Sequence, residues 1–352
     1  MTDAVSPNLE RAKQILAQSP AIDFHTHLGL WETKGLGIQD PIGKYIGDDA
    51  LTHHVEAMLG AGCHAASLNL TSDIPILKFG AVGNRSRDFE PGEAWAEYQR
   101  LMGVLNDVLT FLPAGIAYQL SDLDPLGEEK KLALLLSVEG AHMIEEDLSR
   151  LEIMKQDGIT KLQPMHYART TIGDNQTDQQ EYGGLSDFGF EAVRHAADMG
   201  MLIDAAHATF NATADMAEAT GGPIVLSHAL MAYGSSFTPS DAPPNPRWIS
   251  NEHAKLIADT GGLIGTWAIN APFGAGSAEE FVEAVLAMID EVGIEHVCWA
   301  TDLIQAGMGN WFKDYADFPD LCARFLDAGM SSEDLDKFLW GNVFRIYEVA
   351  SI

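Results

Sequence analysis

The chain has 352 residues, of which 46% are apolar and 33 are glycine, enough apolar material for one large domain or two small ones. It carries 51 acidic against 21 basic residues, and this net charge of −30 argues against nucleic acid or an anionic membrane as partner. Residues 1–20 lack a signal-peptide pattern and no apolar run approaches a membrane span, so we expect a cytoplasmic protein. Three widely spaced cysteines predict buried thiols rather than a disulfide framework: Cys63, Cys298 and Cys322.

Eight nearly continuous apolar runs of strand length follow one another along the chain. Such runs are typical of parallel strands buried on both faces. They cover 21–27, 64–71, 132–139, 159–166, 201–207, 223–228, 263–269 and 296–302. The segment "FLPAGIA" (111–117) could be a ninth strand, and 72–110 has no clear assignment.

Helical patterns separate the runs, most clearly at 186–200, 250–260 and 278–292, several of them beginning at Ser, Asp or Asn and ending at Gly. Because strands and helices alternate, the sequence predicts an α/β fold, specifically a (β/α)8 TIM-type barrel in a single domain over 1–352. No glycine-rich phosphate loop follows the first strand, which disfavours an open nucleotide-binding sheet. The long loops 72–92 and 232–247 are expected over the barrel mouth.

Polar residues end six of the eight predicted strands. In a barrel these ends meet on one face, where active sites form. Each residue alone has an ordinary explanation, such as a salt bridge or a hydrogen-bonded core histidine, but together they predict a metal site. The residues are His25, His27, Glu139, His166, His207, His228 and Asp302.

The spacing and surroundings of these residues support the same interpretation. His25 and His27 are two positions apart and therefore lie on one face of a strand, within reach of one ion. Glu139 ends an apolar run, where an unpaired buried carboxylate would be costly, so it needs a cation or a basic partner. The remaining histidines are interpreted as structural or solvated (His53, His54, His195 and His253), and His142 as a weaker candidate behind the ligands.

Four stretches carry a family resemblance: "LLLSVEGAHMI", "GGLSDFGFEAVRHAADMGMLIDAAHATFNAT", "PIVLSHAL" and "SSEDLDKFLWGNVFRIYE". With the order of the polar strand ends, they resemble the membrane (renal) dipeptidase family of zinc peptidases in the amidohydrolase superfamily. The resemblance runs from about residue 20 to 348. It is most specific over 183–228 and in the terminal G-N-x-x-R motif, and weakest over 72–130.

The resemblance implies two zinc ions bridged by Glu139, which would activate a water for hydrolysis of small dipeptides, often with a C-terminal D-residue. It places metal ligands at His25, His27, Glu139, His207 and His228. Asp302 would transfer the proton, His166 would bind substrate and stabilise the oxyanion, and Arg247 would bind the substrate carboxylate; an exposed loop arginine is the alternative for Arg247. A homodimer is also compatible with the family.

Two positions depart from the family pattern. His27 stands where the family usually has aspartate, which removes one negative charge from the site, and Ile269 stands where a substrate-contacting tyrosine is expected. An amidohydrolase acting on an N-acyl amino acid, a lactone or a cyclic amide therefore remains an alternative. A mononuclear decarboxylase is disfavoured by Glu139, and a non-catalytic metal-binding protein by Asp302.

Overall fold

The computed structural model describes residues 6–38, 44–78, 84–123, 130–231, 245–269, 274–303, 311–312 and 314–350. Strands in this part of the chain are β1 Ala21–Thr26, β2 Cys63–Thr71, β3 Leu77–Lys78, β4 Asn84–Arg85, β5 Ala114–Ile116, β6 Leu132–Glu139, β7 Ile159–Gln163, β8 Leu202–Ile203, β9 Val225–Ala229, β10 Leu263–Thr266 and β11 Val297–Cys298. The α-helices are α1 Leu9–Gln18, α2 Asp48–Gly60, α3 Glu93–Val108, α4 Ser149–Gln156, α5 Asp187–Asp198, α6 Phe210–Thr220, α7 Asn251–Asp259, α8 Ala278–Val292, α9 Phe318–Asp327, α10 Ser332–Asp336 and α11 Asn342–Val349.

Parallel strands form the centre of the molecule. One sheet has the order β1-β2-β6-β7-β8, with β5 beside the start of β6, and a second has the order β11-β10-β9. Isolated parallel bridges link the sheet edges, Asp204 to Val225 and Thr26 to Leu303. The fold is therefore α/β with a curled parallel sheet, as the continuous apolar runs predicted.

The predicted strands are present but several end early. Regular pairing stops at Gln163, Ile203, Thr266 and Cys298, before the ends predicted at 166, 207, 269 and 302. Irregular stretches with isolated backbone hydrogen bonds then carry the chain toward the site. His207 and Asp302 both adopt a positive φ, which a regular strand excludes. The alternative of a strand within 111–117 is confirmed, because β5 pairs with Leu132–Leu134.

The uncertain region 72–110 contains the short antiparallel pair β3–β4 and the whole of α3. The predicted loop 72–92 therefore includes this pair, whereas residues 232–244 of the second predicted loop lie outside the described residues. The three clearest predicted helices are confirmed as α5, α7 and α8, and each begins where a serine side chain accepts a backbone N–H: Ser186, Ser250 and Ser277.

The core has two parts. The larger one lies between the helices and the strands, and the smaller one joins residues from most parallel strands, among them Ile22 and Phe24, to the C-terminal helix α11. The G-N-x-x-R motif secures this end, since Asn342 donates to the carbonyls of Ile294 and Val297.

All three cysteines are free and buried. Within the described ranges, no helix combines the length and apolarity that crossing a membrane requires.

Candidate metal centre

The seven residues predicted at strand ends lie together at the carboxyl ends of the parallel strands. His25, Glu139 and His228 belong to β1, β6 and β9, while His27, His166, His207 and Asp302 follow β1, β7, β8 and β11 by one to four residues. The six residues other than Asp302 are buried, and the side chain of Asp302 is 9% exposed. Since parallel strands share one direction, residues far apart in sequence meet here.

Glu139 lies between two pairs of histidines. Its Oε2 is 3.6 Å from Nε2 of His25 and 3.2 Å from Nε2 of His27. Its Oε1 is 3.3 Å from Nε2 of His207 and 3.8 Å from Nε2 of His228. Each carboxylate oxygen therefore faces a different pair of imidazole nitrogens.

Asp302 lies on the side of the first pair. Its Oδ1 is 3.5 Å from Nε2 of His25 and 3.0 Å from Nε2 of His27. Its Oδ2 accepts a hydrogen bond of 2.7 Å from Nε1 of Trp267. The carboxylate is thereby held by the indole on one side and directed at the imidazoles on the other.

The donor set fits a divalent metal such as zinc. Three groups of His, Asp and Glu side chains place their ligand atoms within 4.8 Å of one another: His25–His27–Glu139, His25–His228–Asp302 and Glu139–His207–His228. Nε2 of His25 is buried and has no hydrogen-bond partner among the described residues. The Nε2 atoms of His207 and His228 face each other at 3.2 Å. Buried imidazole nitrogens without a suitable hydrogen-bond partner are available as metal ligands, and zinc prefers nitrogen ligands of this kind.

Surrounding polar side chains orient the potential ligands. The hydroxyl of Ser227 lies 2.8 Å from Nδ1 of His25 and 3.1 Å from Nδ1 of His228. Gln163 donates to Oε1 of Glu139 at 3.2 Å, and the Thr71 hydroxyl donates to its Oε2 at 3.3 Å. Such contacts at the far ring atom or lone pair fix the direction in which the ligand atom points.

His166 faces the cluster from β7 and is held from behind by Asp73. Its Nδ1 lies 2.5 Å from Oδ1 of Asp73, and its Nε2 is 3.6 Å from Oε1 of Glu139. Burial opposes the charged form, but the negative charges of Asp73 and Glu139 outweigh it and raise the pKa of His166. His166 can therefore present an N–H donor to an oxygen bound in front of the cluster.

Burial and charge act differently on the other titratable groups. Burial opposes ionisation of Glu139 and Asp302, yet neighbouring imidazoles outweigh it and lower the pKa of each well below its ordinary value. Burial lowers the pKa of His207 and His228, helped by Arg247 and His25 respectively. These two imidazoles therefore stay neutral near pH 7, the form that ligates metals.

Arg247 is buried at the edge of the cluster, so the alternative of an exposed loop arginine is wrong. Its Nη2 lies 3.0 Å from Nε2 of His228, its Nη1 donates to the side-chain oxygen of Gln176, and the guanidinium stacks over the ring of Trp267 at 5.3 Å. Its Nε is buried without a hydrogen-bond partner in the described part of the chain, and the negative charges of Asp302 and Glu139 act on the guanidinium. A buried guanidinium with a free N–H can bind a substrate carboxylate.

Other positions lie outside the cluster. His142 is hydrogen-bonded to Ser72 and to the carbonyl of Ala168 rather than placed behind a ligand. His54 and His253 are buried within helices, in agreement with their structural interpretation. Ile269 is half-buried, two residues beyond Trp267.

Several residues at the site were not found from the sequence. Glu32 and Asp73 lie behind His27 and His166, and Trp267 lies behind Asp302. Tyr167 contacts the cluster directly, with its ring 4.9 Å from that of His207 and its hydroxyl hydrogen-bonded to Arg247. Burial raises the pKa of Tyr167 to about 12, so its hydroxyl keeps its proton. The sequence feature that could have identified these residues is an acidic or aromatic residue in an apolar segment just after a predicted strand.

Comparison with known proteins matches nearly the whole chain to the family that the sequence resembles. The sequence profile of the membrane dipeptidase family (peptidase family M19) matches residues 9–351. "Dipeptidase ataJ" of Aspergillus terreus is 24% identical over 97% of this chain and 87% of its own. "Dipeptidase tcpJ" of Claviceps purpurea is also 24% identical, but the alignment covers 70% of this chain and only 57% of the fungal protein.

Solved structures share the fold. The probable dipeptidase PvdM from Pseudomonas aeruginosa superposes with a TM-score of 0.76 at 19% identity, covering 97% of this chain and 98% of its own. A metallo peptidase from Rhodobacter sphaeroides gives a TM-score of 0.75 at 17% identity, covering 94% and 99%. The chain therefore belongs to the membrane dipeptidase family, M19, a family of metallopeptidases.

Proposed function

We propose that this member of the membrane dipeptidase family hydrolyses the amide bond of small dipeptides at a centre of two zinc ions bridged by Glu139. The observation that carries the proposal is the position of Glu139 between two histidine pairs. Its Oε2 faces His25 and His27, and its Oε1 faces His207 and His228. A bridging carboxylate is useful only where two ions are bound. Zinc held there would polarise the scissile carbonyl and lower the pKa of an attacking water toward neutrality.

Asp302 is the proton carrier in this proposal. Its pKa is low, so the carboxylate is ionised and can accept the proton that the water loses. Because the Trp267 N–H binds Oδ2, the proton would be accepted by Oδ1, which lies on the side of the histidine pair. The same oxygen then delivers the proton to the amine that leaves.

His166 and Arg247 bind the substrate in this proposal. Nε2 of His166 would donate to the carbonyl oxygen as negative charge develops on it, a contribution of about 2.7–4 kcal/mol in comparable sites. The buried guanidinium of Arg247 would form paired hydrogen bonds with the C-terminal carboxylate. Tyr167, bonded to that guanidinium, would help to fix it in place.

We also propose that the strands close into a single-domain (β/α)8 barrel. The bridges Asp204–Val225 and Thr26–Leu303 support this, because each joins the outer strand of one sheet to the outer strand of the other. Eight parallel strands would then surround the smaller core, with the site at their carboxyl ends.

A substrate panel tests the proposed reaction. The purified, zinc-loaded protein is assayed with L,L- and L,D-dipeptides beside N-acyl amino acids, lactones and cyclic amides. The panel includes a C-terminal D-residue because the Rhodobacter sphaeroides structure holds a phosphinate mimic of L-Ala-D-Ala. We expect dipeptides to give the highest kcat/KM and elemental analysis to find two zinc ions per chain.

One observation favours a second substrate class. Ile269 puts an apolar side chain where a tyrosine is expected, and this would accommodate an acyl group better than a peptide amine. If N-acyl amino acids exceed every dipeptide in kcat/KM, the metal chemistry stands and the dipeptide assignment does not.

A further inference from the structure

Glu32 is a buried acid whose carboxylate points at the far side of His27. Its Oε1 accepts a 2.7 Å hydrogen bond from Nδ1 of His27, while Nε2 of the same ring faces Glu139 and Asp302. Glu32 is fully buried, and no lysine or arginine forms an ion pair with it within the described part of the chain. The charge of its carboxylate is therefore directed at His27.

The backbone is shaped to bring Glu32 to this position. Leu28, Gly29 and Leu30 have φ values of 41°, 70° and 58°, three successive residues in the left-handed region, which ordinary side chains enter only at a cost. At Gly29 an added Cβ would lie 2.5 Å from Cδ1 of Ile46, so that side chain would have to move, and the positive φ itself favours glycine. This turn reverses the chain after β1 and returns Glu32 beneath His27. Strained turns that persist usually serve a site.

Two further contacts hold the acid in place. Arg100 of α3 donates to the backbone carbonyls of Glu32, at 2.5 Å, and of Lys34, at 3.2 Å, and is itself paired with Glu97. The hydroxyl of Thr71 lies 3.3 Å from Oε1 of Glu32 and 3.3 Å from Oε2 of Glu139. Glu32 is thus tied both to a helix and to the bridging carboxylate.

We infer that Glu32 is a positioning residue that acts through His27 to strengthen metal binding. The hydrogen bond places the imidazole proton on Nδ1 and leaves the Nε2 lone pair directed at the metal position. The carboxylate also adds a fixed negative charge behind the ring, in place of the charge that an aspartate at position 27 would bring directly. This inference rests on the proposed metal site and is independent of which substrate is hydrolysed.

The test is a double-variant cycle with zinc affinity as the readout. Metal-free protein, Glu32→Gln, His27→Asp and His27→Asp/Glu32→Gln are titrated with zinc against a chromophoric chelator. In the parent background, Glu32→Gln should weaken zinc binding about 10- to 100-fold, as loss of such partners typically does. In the His27→Asp background the same change should weaken binding less than about threefold, because the hydrogen bond through which Glu32 orients the imidazole is then already absent. The effect of the substitution thus depends on His27.

Glu97→Gln is the matched control. It neutralises a second buried acid that is coupled to the same turn through Arg100 but does not contact His27. We expect it to leave zinc affinity within about threefold of the parent.

Thermal unfolding of each metal-free variant separates metal affinity from folding. A Glu32→Gln affinity within twofold of the parent, or an equal loss of affinity in the parent and His27→Asp backgrounds, would each overturn the inference. Absence of zinc from the parent protein would instead overturn the proposed metal site.

Discussion

Removing the indole N–H of Trp267 should reduce turnover without removing metal. Trp267 is buried and donates a 2.7 Å hydrogen bond to Oδ2 of Asp302, whose other oxygen lies 3.0 Å from Nε2 of His27. The substitution Trp267→Phe keeps an aromatic ring but removes this donor. A hydrogen bond to a charged group is worth about 1.5–3 kcal/mol. If that energy keeps Asp302 oriented for proton transfer, kcat should fall about 10- to 100-fold, because each 1.4 kcal/mol is a factor of ten.

Steady-state kinetics on the best substrate of the panel measure this effect, with metal content determined on the same samples. We expect kcat to fall while KM changes less than threefold, since the indole N–H contacts the acid and not the substrate carboxylate. Loss of a donor to the carboxylate should also raise the pKa of Asp302, so the acid limb of the kcat profile should move to higher pH.

Trp311→Phe is the control for this experiment. Trp311 also donates an indole hydrogen bond, at 3.0 Å to the carbonyl of Ala275, and packs against Phe281 away from the cluster. It should keep kcat within about twofold of the parent. The reasoning fails if Trp267→Phe, with full metal content, turns over as fast as the parent, or if both variants lose activity equally.

Three further predictions concern individual groups. Asp302→Asn should lower kcat at least about 100-fold with metal per chain unchanged; normal turnover by this variant would remove Asp302 from proton transfer. Arg247→Lys should raise KM about tenfold for substrates with a free C-terminal carboxylate and leave C-terminally amidated analogues unaffected; an equal change for both would exclude carboxylate binding by Arg247. Burial lowers the pKa of His54 to about 4, against about 6.5 unfolded, so the unfolded state binds the proton first and stability falls as pH drops from 6.5 to 4. His54→Leu should therefore gain about 2 kcal/mol relative to the parent on going from pH 7 to pH 5, measured by urea unfolding of metal-free protein, and an unchanged pH dependence would contradict this.

Residues inside the regular strands were predictable because two simple patterns coincide there. A continuous apolar run indicates a parallel strand buried on both faces. A polar residue at the end of such a run is then expected at the carboxyl edge that the parallel strands share. His25, Glu139 and His228 satisfy this pattern directly, since each belongs to a strand. Their convergence in the structure follows from strand direction alone.

Residues beyond the strands were harder to place, because their positions depend on how the chain turns. Glu32 reaches His27 because residues 28–30 have left-handed backbone conformations. The hydrophobic periodicity of a sequence does not predict such a turn. Asp73 was accessible in principle, since it follows β2 by two residues just as His166 follows β7 by three. Polar residues at the ends of the apolar runs were predicted as metal ligands, so acids that lie a few residues beyond a run were missed.

The buried charges explain why this site needs cations. Four buried or nearly buried carboxylates meet at the cluster: Glu32, Asp73, Glu139 and Asp302. In the described part of the chain, Arg247 is the guanidinium in hydrogen-bond contact with the potential ligands. Isolated buried carboxylates are costly, and one arginine balances one of them. The remaining positive charge must come from protonated imidazoles or from bound divalent ions, and two ions would supply it while leaving the histidines neutral. If Glu32 acts through His27 as inferred, its carboxylate supplies, from one imidazole ring away, the negative charge that an aspartate at position 27 would have carried.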